Sequence, residues 1–169
     1  MLSEESSFVQ SKQYAEFITV TCHNWQHVLA DNQVKDIIIS SLSYLSKVHR
    51  VSVYAFVIMS NHFHVLWQVL GDHERSAVQR DLLKYTSQKI LKLMKDEESP
   101  VLADLLVKAK DRKYQLWQRN SLGIPLWSDK VVWQKLAYIH DNPVKAGLCK
   151  RAEDYLYSSA GFYWNADKR

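Results

Sequence analysis

The chain has 169 residues, of which 47% are hydrophobic, and it carries a formal net charge of +4 with a sequence pI near 9.0. This length and composition exclude a disordered chain and predict a single domain with a real core. The mildly basic balance allows an anionic partner without requiring one. No segment approaches the roughly 20 apolar residues of a membrane span, and the acidic, polar opening residues do not resemble a signal peptide.

The first half of the chain predicts the order strand, helix, strand, strand, after a loose lead-in over residues 1–13. Residues 14–22 alternate and are rich in aromatic and β-branched side chains, which is typical of a strand. Asp31 is a candidate cap for a helix over residues 34–48, whose apolar residues recur at helical spacing. Residues 51–70 predict two central strands joined at Ser60 and Asn61.

The second half begins with a predicted turn at residues 71–74 and a helix over residues 77–95. We expect its apolar face to point inward and its other face to be basic; the inward residues are Leu82, Leu83, Ile90, Leu91 and Met94, and the basic ones Arg80, Lys84, Lys89, Lys92 and Lys95. Tyr85 is expected to pack in the core. A loop over residues 96–106 leads to a short helix, and residues 113–119 predict a short strand.

Ser128 and Asp129 are predicted to cap a third helix over residues 130–140, which should stop at Pro143. An aromatic, serine-rich tail over residues 150–169 ends the chain. Together these elements predict one α+β domain over residues 1–169. Its antiparallel sheet with helices packed on it has the order of a ferredoxin-like, RNA-recognition-type fold.

A His-Phe-His triplet opens the second central strand. Because strand side chains alternate between faces, His62 and His64 point the same way while Phe63 points to the other face. At a rise of ~3.3 Å per residue, the two imidazoles suit one metal ion. The same pair is also compatible with two packed or surface histidines, and spacing alone does not decide between these interpretations.

The third helix has two distinguishable faces. Val132, Leu136 and Ile139 fall at the spacing of a buried stripe. Tyr138 and Asn142 fall on a different, polar face, so Tyr138 is not predicted to be a core residue. The amide of Asn142, which precedes Pro143, can either cap the helix or offer its oxygen to a metal.

Three motifs together resemble the single-tyrosine HUH transposases, specifically the REP-associated tyrosine transposases and their IS200-like relatives. They are MSNHFHVL at residues 59–66, YIHDNPVKAGL at residues 138–148 and DYLYSSA at residues 154–160. They occur in the family's order, and the resemblance covers residues 14–163. Residues 96–106 do not align with the family.

The resemblance implies a metal-dependent nuclease and strand transferase that acts on single-stranded DNA at stem-loop repeats. It assigns His62, His64 and Asn142 to a divalent metal, Mg²⁺ or Mn²⁺, and Tyr138 to the nucleophile that becomes joined to a 5′ phosphate. Relatives include monomers and dimers that exchange the tyrosine helix, so a homodimer is an open expectation. A cytoplasmic, nucleoid-associated protein with no membrane partner is expected, in keeping with only two cysteines, Cys22 and Cys149.

Further candidate DNA contacts are basic, aromatic or hydroxyl side chains: Lys84, Lys89, Lys92, Lys145, Tyr155, Tyr157, Ser158 and Ser159. For the tail residues, core packing is an equally good interpretation. Two other functions fit the same sequence. One is a non-catalytic nucleic-acid-binding protein, such as a domesticated repressor, and the other is a structural zinc site built from His62, His64 and Cys22.

Overall fold

The computed structural model describes residues 14–119 and 121–166, so the predicted lead-in over residues 1–13 lies outside the described residues. A four-stranded antiparallel sheet in the order β2-β3-β1-β4 forms its centre. The strands are β1 (Glu16–Thr21), β2 (Val51–Ile58), β3 (His62–Val69) and β4 (Leu122–Pro125). The α-helices are α1 (Asn32–Lys47), α2 (Arg75–Asp96), α3 (Asp129–Lys145) and α4 (Ala160–Ala166). The sheet, α1 and α2 confirm the predicted ferredoxin-like fold.

Helices α1 and α2 cover one face of the sheet. Alternation places Phe63, Val65 and Trp67 of β3 on this face, where they are fully buried with Ile38 of α1 and Ile90 of α2. Burial of such apolar surface is the main stabilising contribution to a domain of this size. The predicted inward face of the second helix is confirmed at Leu82, Ile90 and Met94.

Helix α3 covers part of the opposite face. Ile139 is fully buried against Phe17 of β1, Ala55 of β2 and Leu66 of β3. Val132 and Leu136 of the predicted stripe pack at the border of this cluster. The two faces of the sheet therefore carry two separate apolar clusters, and His62 and His64 belong to the α3 side.

The caps predicted for α1 and α3 are confirmed. Asp31 accepts a hydrogen bond from the backbone N–H of Gln33 at 2.8 Å, and Ser128 accepts one from Val131 at 3.4 Å. Each satisfies a donor that the first helical turn would otherwise leave without a partner. The third helix consequently begins at Asp129, one residue before the predicted start at residue 130.

The predicted strand over residues 113–119 is wrong. Only two isolated bridges occur there, Tyr114 with Leu106 and Trp117 with Cys22. The fourth strand is Leu122–Pro125, which pairs with β1. Glycine and proline weaken the strand pattern of these residues, but a proline is tolerated on an edge strand, where no neighbour needs its missing N–H.

Two smaller expectations are also wrong. The third helix does not end before Pro143, because it continues to Lys145; Gly147, whose φ is +72°, follows two residues later. Pro143 is buried in the last turn, where only one helical hydrogen bond is lost. Tyr85, expected in the core, is 50% exposed.

The tail crosses the outer edge of β2. Ile58 N–H donates to Tyr157 O at 2.9 Å, and Ser159 N–H donates to Phe56 O at 3.0 Å. The hydroxyl of Tyr155 also donates to Ile58 O at 2.8 Å. These bonds cover part of an edge strand that would otherwise offer unpaired backbone groups. None of the helices in the described part of the chain is long and apolar enough to cross a membrane.

Candidate active site

Two imidazoles meet at the beginning of β3, on the face that α3 partly covers. The ring centroids of His62 and His64 lie 4.9 Å apart, with an angle of 69° between the planes. Phe63 between them is fully buried on the other face. The two histidines therefore share one face of β3 and Phe63 lies on the other, as predicted. Strands β1 and β2 pair with β3 on either side and hold it in place.

His64 is the more buried of the two, with 4% of its surface exposed. Its Nδ1 is hydrogen-bonded to the hydroxyl of Thr19 at 2.9 Å, whereas its buried Nε2 has no hydrogen-bond partner among the described residues. Burial, and secondarily the nearby His62 and Lys135, lowers the pKa of His64 to about 3. The ring is therefore neutral at physiological pH and offers a nitrogen lone pair.

His62 is half-buried, and its Nδ1 donates a hydrogen bond to the side-chain oxygen of Asn61 at 2.7 Å. That bond leaves the lone pair on Nε2. Burial lowers the pKa of His62 as well. Both rings are thus neutral, and both have Nδ1 fixed by a neighbouring polar group, which is how protein metal sites commonly orient histidine ligands.

Tyr138 of α3 lies directly across from this pair. Its ring centroid is 5.3 Å from that of His64 and 5.9 Å from that of Phe17. The side chain is 42% exposed, so its edge remains open to solvent. Because α3 packs on the sheet of its own chain, the tyrosine and the histidines come together within one polypeptide.

Asn142 follows Tyr138 by one helical turn and is half-buried. Its position on the same side of α3 follows from the helical repeat. The described residues contain no group of three His, Cys, Asp or Glu side chains that could hold a metal. A metal at His62 and His64 would therefore need another kind of third ligand, and the amide oxygen of Asn142 is of a suitable chemical type.

The fold does not bring Cys22 together with His62 and His64 in a zinc site. Cys22 is fully buried in the α1/α2 cluster, on the face of the sheet opposite to the two histidines. Burial raises the pKa of its thiol to about 12, so the thiolate that binds zinc is disfavoured. The sheet thus separates Cys22 from the imidazoles it would have to join.

Two residues at the site were missed by the sequence analysis. Lys135 places its Nζ 4.6 Å from the ring centroid of Phe17 and 5.7 Å from that of Tyr138. Its spacing of three residues before Tyr138 could have indicated this. Thr19, which fixes His64, lies opposite it in the β1–β3 register, and no sequence spacing reveals such a pair.

The predicted DNA contacts are spread over the molecule. Lys145 lies near the site, with its Nζ 5.9 Å from the ring centroid of Tyr138 and 4.0 Å from a carboxylate oxygen of Asp141. Lys84, Lys89 and Lys92 are exposed on α2, which packs on the opposite face of the sheet. These three lysines therefore lie on the other face of the sheet from Tyr138.

The tail residues have packing partners instead of open surfaces. Tyr157 and Ser158 are buried, and the Lys35 ammonium lies 4.7 Å from the Tyr157 ring centroid. Ser159 contacts the backbone of Phe56 and, at 3.0 Å, the Nε2 of His140 on α3. These positions favour the packing interpretation, and they join the tail to the helix that carries Tyr138.

Comparison with known proteins adds to this picture. No protein-family profile matches the sequence, and no curated protein matches it. Among solved structures, the chain is similar to a REP-associated tyrosine transposase bound to a REP hairpin, with 18% identity and a TM-score of 0.65 over 95% of this chain and 84% of that one. It is also similar to a protein from Deinococcus radiodurans R1 provisionally described as a transposase, with 14% identity and a TM-score of 0.51 over 83% and 97%. The chain has the fold of these proteins, in agreement with the resemblance carried by its three motifs.

Proposed function

We propose that the chain is a tyrosine transposase of the HUH type, a metal-dependent nuclease and strand transferase that acts on single-stranded DNA at stem-loop repeats. The observation that carries this proposal is the Tyr138 ring lying 5.3 Å from the ring of His64 within one chain. The shared fold supports it, because one protein of this fold is a tyrosine transposase bound to a REP hairpin.

The donor set fits a divalent metal. His62 and His64 would contribute their Nε2 atoms, and Asn142 would contribute its amide oxygen. The Nε2 of His64 is buried with no hydrogen-bond partner in the part of the chain that the structure describes. When bound, Mg²⁺ or Mn²⁺ would neutralise phosphate charge and orient the phosphodiester. Imidazole ligands favour Mn²⁺ over Mg²⁺ within this choice, because Mg²⁺ prefers oxygen donors.

The phenol of Tyr138 is the nucleophile in this proposal. Its oxygen forms a bond to the phosphorus and the bond from phosphorus to the 3′ oxygen breaks, so that the 5′ phosphate is joined to the protein. The phenolic proton passes to solvent, which reaches the partly exposed side chain, and the departing 3′ oxygen gains a proton. The phosphotyrosine keeps a phosphoester bond, so a second 3′ hydroxyl can reverse the step without ATP.

Lys135 and Lys145 flank the tyrosine on α3. Two ammonium groups beside one phenol produce a positive potential where a phosphate must approach. Lys135 also stabilises the neutral form of His64 by repulsion between positive charges, since it contributes to the lowered pKa of that ring. The same side chain thus favours both an anionic substrate and a histidine ready to bind metal.

The proposal is tested with a labelled single-stranded hairpin carrying unpaired flanks, incubated with the protein and Mn²⁺ or Mg²⁺. We expect a protein–DNA adduct that survives denaturation, together with a free 3′ hydroxyl product. Chelation with EDTA before mixing should remove both. Salt-sensitive binding without any adduct in either metal would contradict the catalytic function.

Lys135→Met should lower the rate of adduct formation about tenfold or more, because one charge beside a developing anionic centre is lost. Lys135→Arg should retain most activity, since it keeps the charge. Lys130→Met, a charge loss in the first turn of the same helix, is the matched control and should change the rate little. Equal rates for Lys135→Met and wild type would exclude an electrostatic role for this residue.

The second candidate function is nucleic-acid binding without chemistry. The observation that favours it is the exposed basic face of α2: Arg80, Lys84, Lys89, Lys92 and Lys95. Such a face binds phosphates regardless of sequence and loses affinity as salt rises. Binding by this face, with no adduct under any metal condition, is the result that would favour the second candidate.

A further inference from the structure

The loop between β1 and α1 contains an unusual backbone conformation. Asn24 and Trp25 both have positive φ values, 51° and 57°. Two other non-glycine residues in the described part of the chain have positive φ values, His49 and Glu98. Each lies two residues after the end of a helix, α1 or α2, where a left-handed residue is common. Asn24 and Trp25 are instead the central residues of a short turn closed by a hydrogen bond from Gln26 N–H to His23 O at 3.2 Å, a place where positive φ favours Gly, Asn or Asp.

A tryptophan is a poor residue for this conformation. Asparagine visits the left-handed region readily, but a bulky side chain there is strained by contact between Cβ and the backbone. Burial does not compensate for the strain, because Trp25 is 60% exposed. Strained residues held in place by their surroundings cluster at ligand-binding sites.

The loop is fixed to the turn that precedes the histidine pair. Trp25 N–H donates to Cys22 O at 3.0 Å, and Cys22 N–H donates to Asn61 O at 2.8 Å. Further along, Leu29 N–H donates to Ser60 O at 2.8 Å. Asn61 is also the residue that orients His62, so the strained loop and the candidate active site share one turn.

The segment of the sequence that contains Trp25 carries no negatively charged side chain. No Asp or Glu occurs between Phe17 and Ala30. The exposed ring presents a π-face, on which any base can stack irrespective of its identity. Tryptophan in this position has a surface suited to a nucleobase, at the same end of the sheet as the atoms that would hold the phosphate.

We propose that Trp25 is a stacking platform for an unpaired base of the DNA strand whose phosphate lies at His62, His64 and Tyr138. This inference rests on the proposed function, since it takes single-stranded DNA as the ligand of the same site. Stacking would hold the strand beside the turn at Ser60 and Asn61. The strained backbone is then retained because it turns the ring toward the DNA instead of the core.

The test compares affinities in a Tyr138→Phe background without divalent metal, so that no cleavage interferes. Fluorescence anisotropy is measured with a short mixed-sequence single strand and with a blunt hairpin that has no unpaired flank. Trp25→Ala should weaken single-strand binding roughly tenfold, the order expected for one base–aromatic stack. Trp25→Phe should retain most of the affinity, and binding of the blunt hairpin should not change.

Trp133→Ala is the matched control, because Trp133 is similarly exposed at 66% but lies on α3. It should leave single-strand affinity unchanged. Trp25→Gly provides a second variant that relieves the left-handed strain, and it should lose affinity while unfolding at a temperature no lower than the parent.

Unchanged single-strand affinity in both Trp25→Ala and Trp25→Gly would overturn the inference, as would an equal loss in Trp133→Ala. The outcome of the adduct experiment does not depend on the outcome of this affinity experiment. If no adduct forms but Trp25→Ala still loses affinity for the single strand, the catalytic proposal falls and the stacking platform stands. If adducts form normally with Trp25→Ala at limiting DNA concentration, the platform falls alone.

Discussion

Tyr138→Phe is expected to abolish the covalent protein–DNA adduct and to lower strand cleavage by at least about 10³-fold, because no other atom can replace the phenolic oxygen as nucleophile. The fold should be unaffected. The hydroxyl of Tyr138 forms no hydrogen bond with any residue that the structure describes, and the ring contacts with His64 and Phe17 do not depend on it. Denaturing gel electrophoresis of a labelled hairpin after incubation with Mn²⁺ measures the effect.

Tyr85→Phe is the control for this result. Tyr85 is exposed to a similar degree, at 50% against 42% for Tyr138, but it lies on α2, on the other face of the sheet. It should form the adduct at the wild-type rate. An adduct of undiminished yield in Tyr138→Phe would show that another side chain attacks the phosphate, and the assignment of the nucleophile would be lost.

His62→Ala is expected to reduce metal-dependent cleavage at least about a hundredfold at limiting Mn²⁺. Loss of a residue that merely hydrogen-bonds to a metal ligand typically weakens metal binding about 10–100-fold, and loss of the ligand itself should weaken it more. High Mn²⁺ should restore part of the activity. DNA affinity without metal should stay within about threefold of wild type. His62 is preferable to His64 here, since it is only half-buried and its loss leaves a smaller cavity.

His27→Ala is the matched control for the metal experiment. His27 contacts the same turn, with its Nδ1 2.7 Å from the hydroxyl of Ser60, but it faces solvent and has no place in the donor set. It should keep both cleavage and its dependence on Mn²⁺. Cleavage by His62→Ala at the wild-type rate and with the wild-type Mn²⁺ dependence would remove the metal role from this histidine.

The arrangement of the site explains why both variants should have large effects. His64 is buried, neutral and held by Thr19, and Tyr138 meets it across a short distance on a helix fixed by Ile139 in the core. Rigid elements that hold reacting groups before substrate arrives remove much of the entropic barrier. A loss at either element should therefore appear in the rate of the chemical step.

Elements with strong local signals could be predicted from the sequence alone. Alternation and β-branched content predicted β1, strongly apolar runs predicted β2 and β3, and the capping residues Asp31 and Ser128 indicated where two helices begin. The shared orientation of His62 and His64 also followed from local geometry, because the period of a strand fixes which side chains share a face. The motifs indicated the type of fold through resemblance.

How these elements meet depends on tertiary packing. Gly123 and Pro125 weaken the strand pattern of residues 122–125, so the sequence did not predict this short edge strand. The strand forms because β1 provides a pairing partner. Helix α3 passes Pro143 because the core around Ile139 and Pro143 buries that turn. The helical spacing of Lys135 and Tyr138 brings these two side chains together, but packing places them beside Phe17 and His64. The contact between Thr19 and His64 and the separation of Cys22 from both histidines likewise depend on segments that are distant in sequence. Local propensity carries no information about such pairs, because they depend on which faces the sheet and helices bury against each other.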